Sequence, residues 1–344
     1  MSSPDPFLAI LRKAVAGERL AAEEAGAAFD AVMEGTVSPA RLAALLVALR
    51  MRGETVEEIA AFARAMRARA VPVTSRHADL LDTCGTGGDG AGTFNVSTVA
   101  ALVAAAAGVP VAKHGNRAVS GRCGSADLLE GLGVRADLAA DEAAACLDDL
   151  GFGFLFAPRL HPSMGHAAGV RRELGVRTVF NLLGPLANPA GARRQVLGVY
   201  DPAWVEPLAR VLVELGTTRA LVVHGAGTDE IALHDATIAA EVRDGRVTLL
   251  TLQPEEAGLR RAPLQAIAGG DPPAQVEAAR RVLEGERGPR RDVVVLNAGA
   301  ALWVADRTAG LEEGARLAEE TLDRGLASEL LERLRRRTPH RGST

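Results

Sequence analysis

Hydrophobic positions along the chain follow two different periods. From Pro6 to about Ala70 they recur at helical spacing in four short runs, PFLAILRKAVAG, AAEEAGAAFDAVMEG, SPARLAALLVALRMRG and TVEEIAAFARAMRARA, and each reads as an amphipathic helix. Ser38-Pro39 opens the third, and Thr55 with Glu58 three residues on forms a capping box for the fourth. At VPVT (71–74) the text changes. LLDTC (80–84), VPVAKH (109–114), FGFLFA (152–157), QVLGVY (195–200), ALVVHG (220–225) and VVVLNA (293–298) read as short buried strands separated by helical segments, the pattern of a mainly parallel central sheet in an α/β fold.

HPSMGHAAGVRRELG (161–175) returns to helix before the Gly/Pro punctuation GPLANP (184–189), which marks a crossing between units. The prediction is a small, discontinuous helical domain, residues 1–71 with 161–187, packed on a larger α/β domain of 72–160 and 188–344. TIAAEVRDGRVTLLTL (237–252) reads as two edge strands joined at Asp244-Gly245, a hairpin signal. The tail RLRRRTPHRGST reads as a solvated helix end rather than a nucleic-acid arm.

Composition narrows the class. At 344 residues one core usually gives way to two cooperating units with a cleft between them. Apolar residues make up 48% and charged residues 24%, the balance of an ordinary globular protein. With 39 basic against 43 acidic residues the net charge is −4, which gives no reason to expect nucleic acid or an anionic membrane as a partner. No apolar run approaches the roughly 18 residues of a membrane span, so the expected location is the cytoplasm. Cys84, Cys123 and Cys146 show no CxxC or Cys/His spacing, which argues against a disulfide framework or a zinc site. Lysine occurs only as Lys13 and Lys113.

Candidate chemistry concentrates after the strands. CGTGGDGAGTFNVST (84–98) is a Gly-rich turn between a strand and a helix. Gly85, Gly87 and Gly88 let amides approach a phosphate, the following helix aims its N-terminus there, and Asn95, Ser97 and Thr98 add polar side chains. A plain strand-to-helix turn capped by Ser97 is the alternative. The loop is neither GxxxxGK[ST] nor GxGxxG. KHGNRAVSGRCGSAD (113–127) delivers Lys113, His114, Asn116, Arg117 and Ser120 to the same sheet edge and bends again at Gly121, Gly124 and Ser125, so two anion loops point to a substrate with more than one phosphate. HGAGTDEIALHD (224–235) presents the adjacent acids Asp229 and Glu230, a pair suited to Mg²⁺ bridging carboxylates to phosphates, or else a turn with solvated acids.

GTGGD, NVST, KHGNR, GSAD, the RRELG to RTVFNLLGPLANP stretch and the DE pair stand in the order seen in the anthranilate phosphoribosyltransferase family, which the chain resembles as far as about Leu334. The resemblance implies 5-phosphoribosyl 1-diphosphate with Mg²⁺ as donor and anthranilate as acceptor. It implies donor contacts from Gly85, Gly88, Asp89, Thr93, Asn95, Val96, Ser97 and Thr98, from Lys113, His114, Gly115, Asn116, Arg117, Ala118, Val119, Ser120 and Gly121, and from Ser125. Ser97, Asp229 and Glu230 match metal ligands, and Gly85, His114, Asn116 and Arg171 match the anthranilate side. Lys113 is expected to act electrostatically and His114 to orient the acceptor. Enzymes of this kind are usually homodimers joined through the helical unit, which implies that the apolar faces of LAALLVALR and IAAFARAM serve a contact between copies or else pack within the chain. Two departures stand out: Gly121 where the family usually has Ser, and Thr228 where it has an apolar residue. A pyrimidine nucleoside phosphorylase shares GTGG but not KHGNR with GPLANP, and a non-catalytic nucleic-acid-binding relative would not need the acid pair.

Overall fold

The computed structural model describes residues 5–118 and 123–339. It opens with four helices, α1 (Pro6–Val15), α2 (Ala22–Met33), α3 (Pro39–Arg52) and α4 (Val56–Ala68). Their boundaries follow from local chemistry. Asp5 caps α1 by accepting from the Phe7 amide at 3.1 Å. Thr55 Oγ1 accepts from the Glu58 amide at 3.2 Å while Glu58 Oε2 accepts from the Thr55 amide at 2.9 Å, closing the capping box. Glu58 is fully buried, and its other oxygen takes the Leu20 amide at 2.7 Å.

The chain then builds β1 (Leu81–Gly85), α5 (Val96–Ala106), β2 (Val111–Gly115), α6 (Ser125–Gly131), α7 (Ala140–Leu150) and β3 (Phe152–Phe156). A short α8 (Ala157–Leu160) leads to α9 (Gly165–Leu174) and α10 (Phe180–Leu186), which return to pack on α2, α3 and α4. After them come β4 (Arg194–Gly198), α11 (Val205–Glu214), β5 (Arg219–His224), β6 (Thr237–Arg243) and β7 (Arg246–Leu252), then α12 (Pro272–Leu283), α13 (Pro289–Val304), α14 (Leu311–Asp323) and α15 (Leu326–Arg337). No described helix is long and apolar enough to cross a membrane.

The seven strands run in the order β3-β2-β1-β4-β5-β6-β7, parallel from β3 through β5 and antiparallel beyond. β1 is therefore the switch strand, with its crossover through α5 going to one side and β4 lying on the other. The carboxyl ends on either side of such a strand open the crevice where α/β sheets bind ligands. Strand alternation sends Leu221 and Val223 to one core with α5 and α13, and Ala220 and Val222 to another with α11 and the helical unit. The hairpin expected at Asp244-Gly245 is present, both residues having positive φ, 50° and 75°.

One expected strand is wrong. VVVLNA (293–298) lies inside the 16-residue helix α13. Its β-branched residues are buried on every side, between the sheet, α5 and α14, so no polar stripe reveals the helical period. Glycines set the α13–α14 approach: a Cβ on Gly299 would overlap the backbone of Ala315, and one on Gly314 would overlap Gly299. Gly299→Ala is expected to destabilise the protein by about 1–3 kcal/mol, the usual cost of overpacking, measurable as a lower urea midpoint at unchanged slope; an unchanged midpoint would show that the helices separate freely.

Candidate functional site

The Gly-rich turn and the acid turn meet at the switch point. Gly85 ends β1, and a Cβ there would overlap the Asp229 carboxylate; a Cβ on Gly198 at the end of β4 would overlap the Asp229 carbonyl. Only glycine admits the acid turn this closely. The Gly87 amide donates to Asp229 Oδ2 at 2.7 Å, and the Ser97 amide, in the first turn of α5, donates to Glu230 Oε1 at 3.1 Å. Two amides that the sequence offers to phosphate are thus held by carboxylates. Asp89 completes the cluster, accepting from the Ala91 amide at 3.1 Å and the Asp229 amide at 3.3 Å.

The charges here are strained. Burial, with Asp89 adding to it, pushes Asp229 up to about 7. Burial and then Asp229 raise Glu230 well above the ordinary carboxylate range. Neither acid is paired with Lys or Arg among the described residues. Nor do three His, Cys, Asp or Glu side chains gather into a metal cage among them, so a cation here would need oxygens from a hydroxyl, water or substrate.

Alternation along β2 sends Lys113 and His114 to opposite faces. Lys113 is 1% exposed; its Nζ donates to the Thr83 carbonyl at 2.5 Å and reaches Ser97 Oγ at 3.4 Å. Its charge acts from beneath the site, and burial lowers its pKa against the pull of Asp82. Asp82, buried beside it and raised by burial, accepts from the His114 amide at 3.1 Å and from Asn188 Nδ2 at 2.8 Å, which ties GPLANP to the sheet.

His114 faces the helical unit. Its Nδ1 lies 3.1 Å from the Gly184 carbonyl in α10, which assigns the proton to Nδ1 and leaves Nε2, buried and without a partner among the described residues, as a lone pair. The His161 ring packs on it at 5.1 Å between centroids. Arg171 in α9 stands 5.1 Å over the Phe180 ring, at the start of α10, and pairs with no carboxylate among the described residues. Phe180 and Gly184 are one turn apart, about 6 Å along the axis, so α10 brings Arg171 and His114 to the same neighbourhood.

Other expected residues are placed less directly. Thr98 is buried, and its hydroxyl donates to Asn95 Oδ1 at 2.6 Å. Val96 is a core side chain, and Thr93 bridges to Ala268. Arg117 is exposed and bonded to Glu130 at 2.6 and 2.7 Å and to Asp127 at 3.1 Å. Asp127 also takes the Ala118 and Gly124 amides at 3.0 and 2.8 Å. Asn116 accepts from the Arg117 amide at 2.7 Å, while Gly115 packs its backbone against Ser125 at the start of α6. Val119, Ser120 and Gly121 lie outside the described residues. Thr228 is buried, and its hydroxyl donates to the Gly225 carbonyl at 2.8 Å.

Sequence reasoning missed several participants. Arg177 donates to the Gly88 carbonyl and stacks 3.9 Å over Tyr200, linking the segment after α9 to the Gly-rich turn. Thr86 Oγ1 accepts from the Tyr200 amide at 3.0 Å. Asp82 carried a signal: an acid inside an apolar strand is an anomaly that requires partners.

Comparison with known proteins matches residues 8–70 to the family model "Glycosyl transferase family, helical bundle domain" and residues 77–328 to "Glycosyl transferase family, a/b domain". An anthranilate phosphoribosyltransferase of Pelotomaculum thermopropionicum is 57% identical over 318 residues, 92% of each chain. The crystal structure of the Thermus thermophilus anthranilate phosphoribosyltransferase superposes with a TM-score of 0.91 at 54% identity, covering 95% of this chain and 98% of that one. The Saccharomyces cerevisiae enzyme, solved in complex with PRPP and Mg, gives a TM-score of 0.89 at 27% identity, covering 97% and 98%.

Burial pulls His114 to about 3 and His161 to about 4, while each ionises near 6.5 when unfolded. The unfolded chain therefore gains protons below pH 6.5 that the folded chain refuses, so this stability is complete above 6.5 and is lost toward pH ~4, at about 1.4 kcal/mol per pH unit per ring. His161→Gln is expected to flatten that fall in urea titrations at stepped pH; parallel curves would mean that His161 is charged in the fold.

Proposed function

The chain belongs to the anthranilate phosphoribosyltransferase family, and on that premise we propose how its residues divide the reaction. The enzyme transfers the phosphoribosyl group of 5-phosphoribosyl 1-diphosphate to the amine of anthranilate and releases pyrophosphate, a step of tryptophan biosynthesis. The observation that carries the division is the meeting, at the switch point of the sheet, of the Gly-rich turn with a half-buried acid turn that pairs with no Lys or Arg among the described residues.

The donor side is assigned to the ends of β1 and β2, with Gly85, Gly88, Asp89, Thr93, Asn95 and Ser97 around the phosphates and the segment from Lys113 to Gly121, with Ser125, around the remainder. Asp229, Glu230 and the Ser97 hydroxyl would hold Mg²⁺, because two half-buried acids that pair with no Lys or Arg among the described residues are a hard oxygen donor set short of positive charge. Bound there, the ion supplies neutralisation of the departing diphosphate. Lys113 adds a buried positive charge behind the same acids, fixed before reaction begins.

The acceptor side is assigned to the helical unit, residues 1–71 and 161–187. Arg171 takes the anthranilate carboxylate, with Asn116 and the Gly85 backbone beside it. A His114 with a pKa of about 3 is too weak a base to remove a proton early; its free Nε2 accepts a hydrogen bond from the amine and aims the nitrogen lone pair at C1. The C1–N bond forms as the bond from C1 to the diphosphate oxygen breaks, and the surplus amine proton passes to water afterwards. Val15, Val47 and Met51 are exposed apolar residues on α1 and α3, which pack together, and this face is assigned to the contact between two copies.

Pyrophosphate release from donor and Mg²⁺ is expected only with anthranilate; release with uracil instead would move the enzyme to pyrimidine substrates, and none at all would leave a non-catalytic relative. Arg171→Ala should raise the anthranilate KM by roughly 10- to 100-fold, the value of a charge-assisted hydrogen bond, with the donor KM unchanged; the reverse pattern would displace the acceptor site. Asp229→Ala/Glu230→Ala should lose at least about 10²-fold in rate, and undiminished turnover would refute the metal assignment.

A further inference from the structure

The acid turn is gripped on both flanks by neutral side chains. Asn297, in the middle of α13 and 4% exposed, uses its whole amide. Its Oδ1 accepts from the Ile231 amide at 2.9 Å, and its Nδ2 donates to the Ile231 carbonyl at 3.0 Å and to the Val293 carbonyl at 2.9 Å. A side chain thus pairs with Ile231 in both directions, as a neighbouring strand would, one residue beyond Glu230.

On the other flank stands His224, the last residue of β5, also buried. Its Nδ1 lies 2.8 Å from the Val199 carbonyl just past β4, and its Nε2 lies 3.1 Å from the Gly227 amide. A ring nitrogen facing a carbonyl carries the proton, so Nε2 is the acceptor for Gly227.

Between the grips runs a tight turn. Ala226 and Gly227 have φ of 45° and 95°, and Gly225 and Thr228 exchange backbone hydrogen bonds at 3.0 and 3.1 Å. An L side chain at Ala226 is unfavourable in that conformation, so the turn needs external support. Apolar packing of α13 does not explain Asn297: an amide buried among Val293, Val294, Leu296 and Ala300 costs several kcal/mol unless it is hydrogen-bonded, and Ile231 supplies two of its three hydrogen bonds.

We propose that Asn297 and His224 are positioning residues that hold the turn carrying Asp229 and Glu230 in the register a divalent cation requires, and so set metal affinity rather than the rate of transfer. The proposal rests on the metal reading of the acid pair.

Its test uses Mn²⁺ with inorganic pyrophosphate, followed by loss of the free-ion EPR signal, beside the Mg²⁺ dependence of turnover. Asn297→Ala should weaken Mn²⁺ binding by roughly 10- to 100-fold, the scale of lost outer contacts to metal ligands, with kcat at saturating Mg²⁺ and the anthranilate KM unchanged. Two neutral changes at His224 separate support from mere filling. His224→Asn places its amide near Nδ1, keeping the Val199 contact and dropping Gly227, and should weaken binding. His224→Gln places an oxygen near Nε2, keeping Gly227, and should bind as the unmodified enzyme does. If Asn297→Ala fails to fold, the His224 pair decides alone. Equal Mn²⁺ binding across all variants, or a fall in kcat and a rise in the anthranilate KM alongside weaker Mn²⁺ binding, overturns the grip; no Mn²⁺ binding by the unmodified enzyme overturns the metal reading and the grip with it.

Discussion

Two adjacent half-buried carboxylates with no Lys or Arg in contact among the described residues are expensive to fold, since each has exchanged water for a single amide and the field of its neighbour. The protein accepts this at the one place where the sheet divides. Around it, glycines admit backbone to backbone contact, loop and helix amides stand in for lost water, and Lys113 supplies charge from below. The turns after β1, β2 and β5 are understandable as responses to that single demand.

Strand alternation then separates the two halves of the chemistry. Adjacent residues of β2 serve different neighbours: Lys113 faces α5 and the acids, His114 faces α10 and the helical unit. Asp82 does the same for the backbone, joining β1 to β2 through the His114 amide and to GPLANP through Asn188. Arg177 forms a second link, from beyond α9 to the Gly-rich turn. The helical unit is therefore fastened at points that themselves belong to the site, so its position cannot change without moving them.

Much of this was legible in the chain. The capping box at Thr55 and Glu58, the Asp244-Gly245 hairpin and the clustering of polar motifs at strand ends are local signals, and local signals survive folding. What was not legible depended on burial. VVVLNA has strand composition, and only its enclosure on all sides makes a helix of it. Exposed Arg117 is a different case: it reads as a phosphate ligand, and in this structure it pairs with Asp127 and Glu130, ten and thirteen residues on. The roles of Asp82, His161 and Asn297 depend on neighbours far away in sequence, which no spacing rule reports.

The glycines carry one last implication. Where backbone touches backbone, as at Gly198 and Gly225 against residues 229–232, no rotamer change can absorb a substitution, so the side assigned above to the phosphates is closed to gradual variation. The side assigned above to the acceptor is lined instead by side chains, Arg171, Phe180, His114 and His161, which can be exchanged singly and repacked. On that assignment, a single substitution can reshape the acceptor side while the sugar-phosphate side stays as it is.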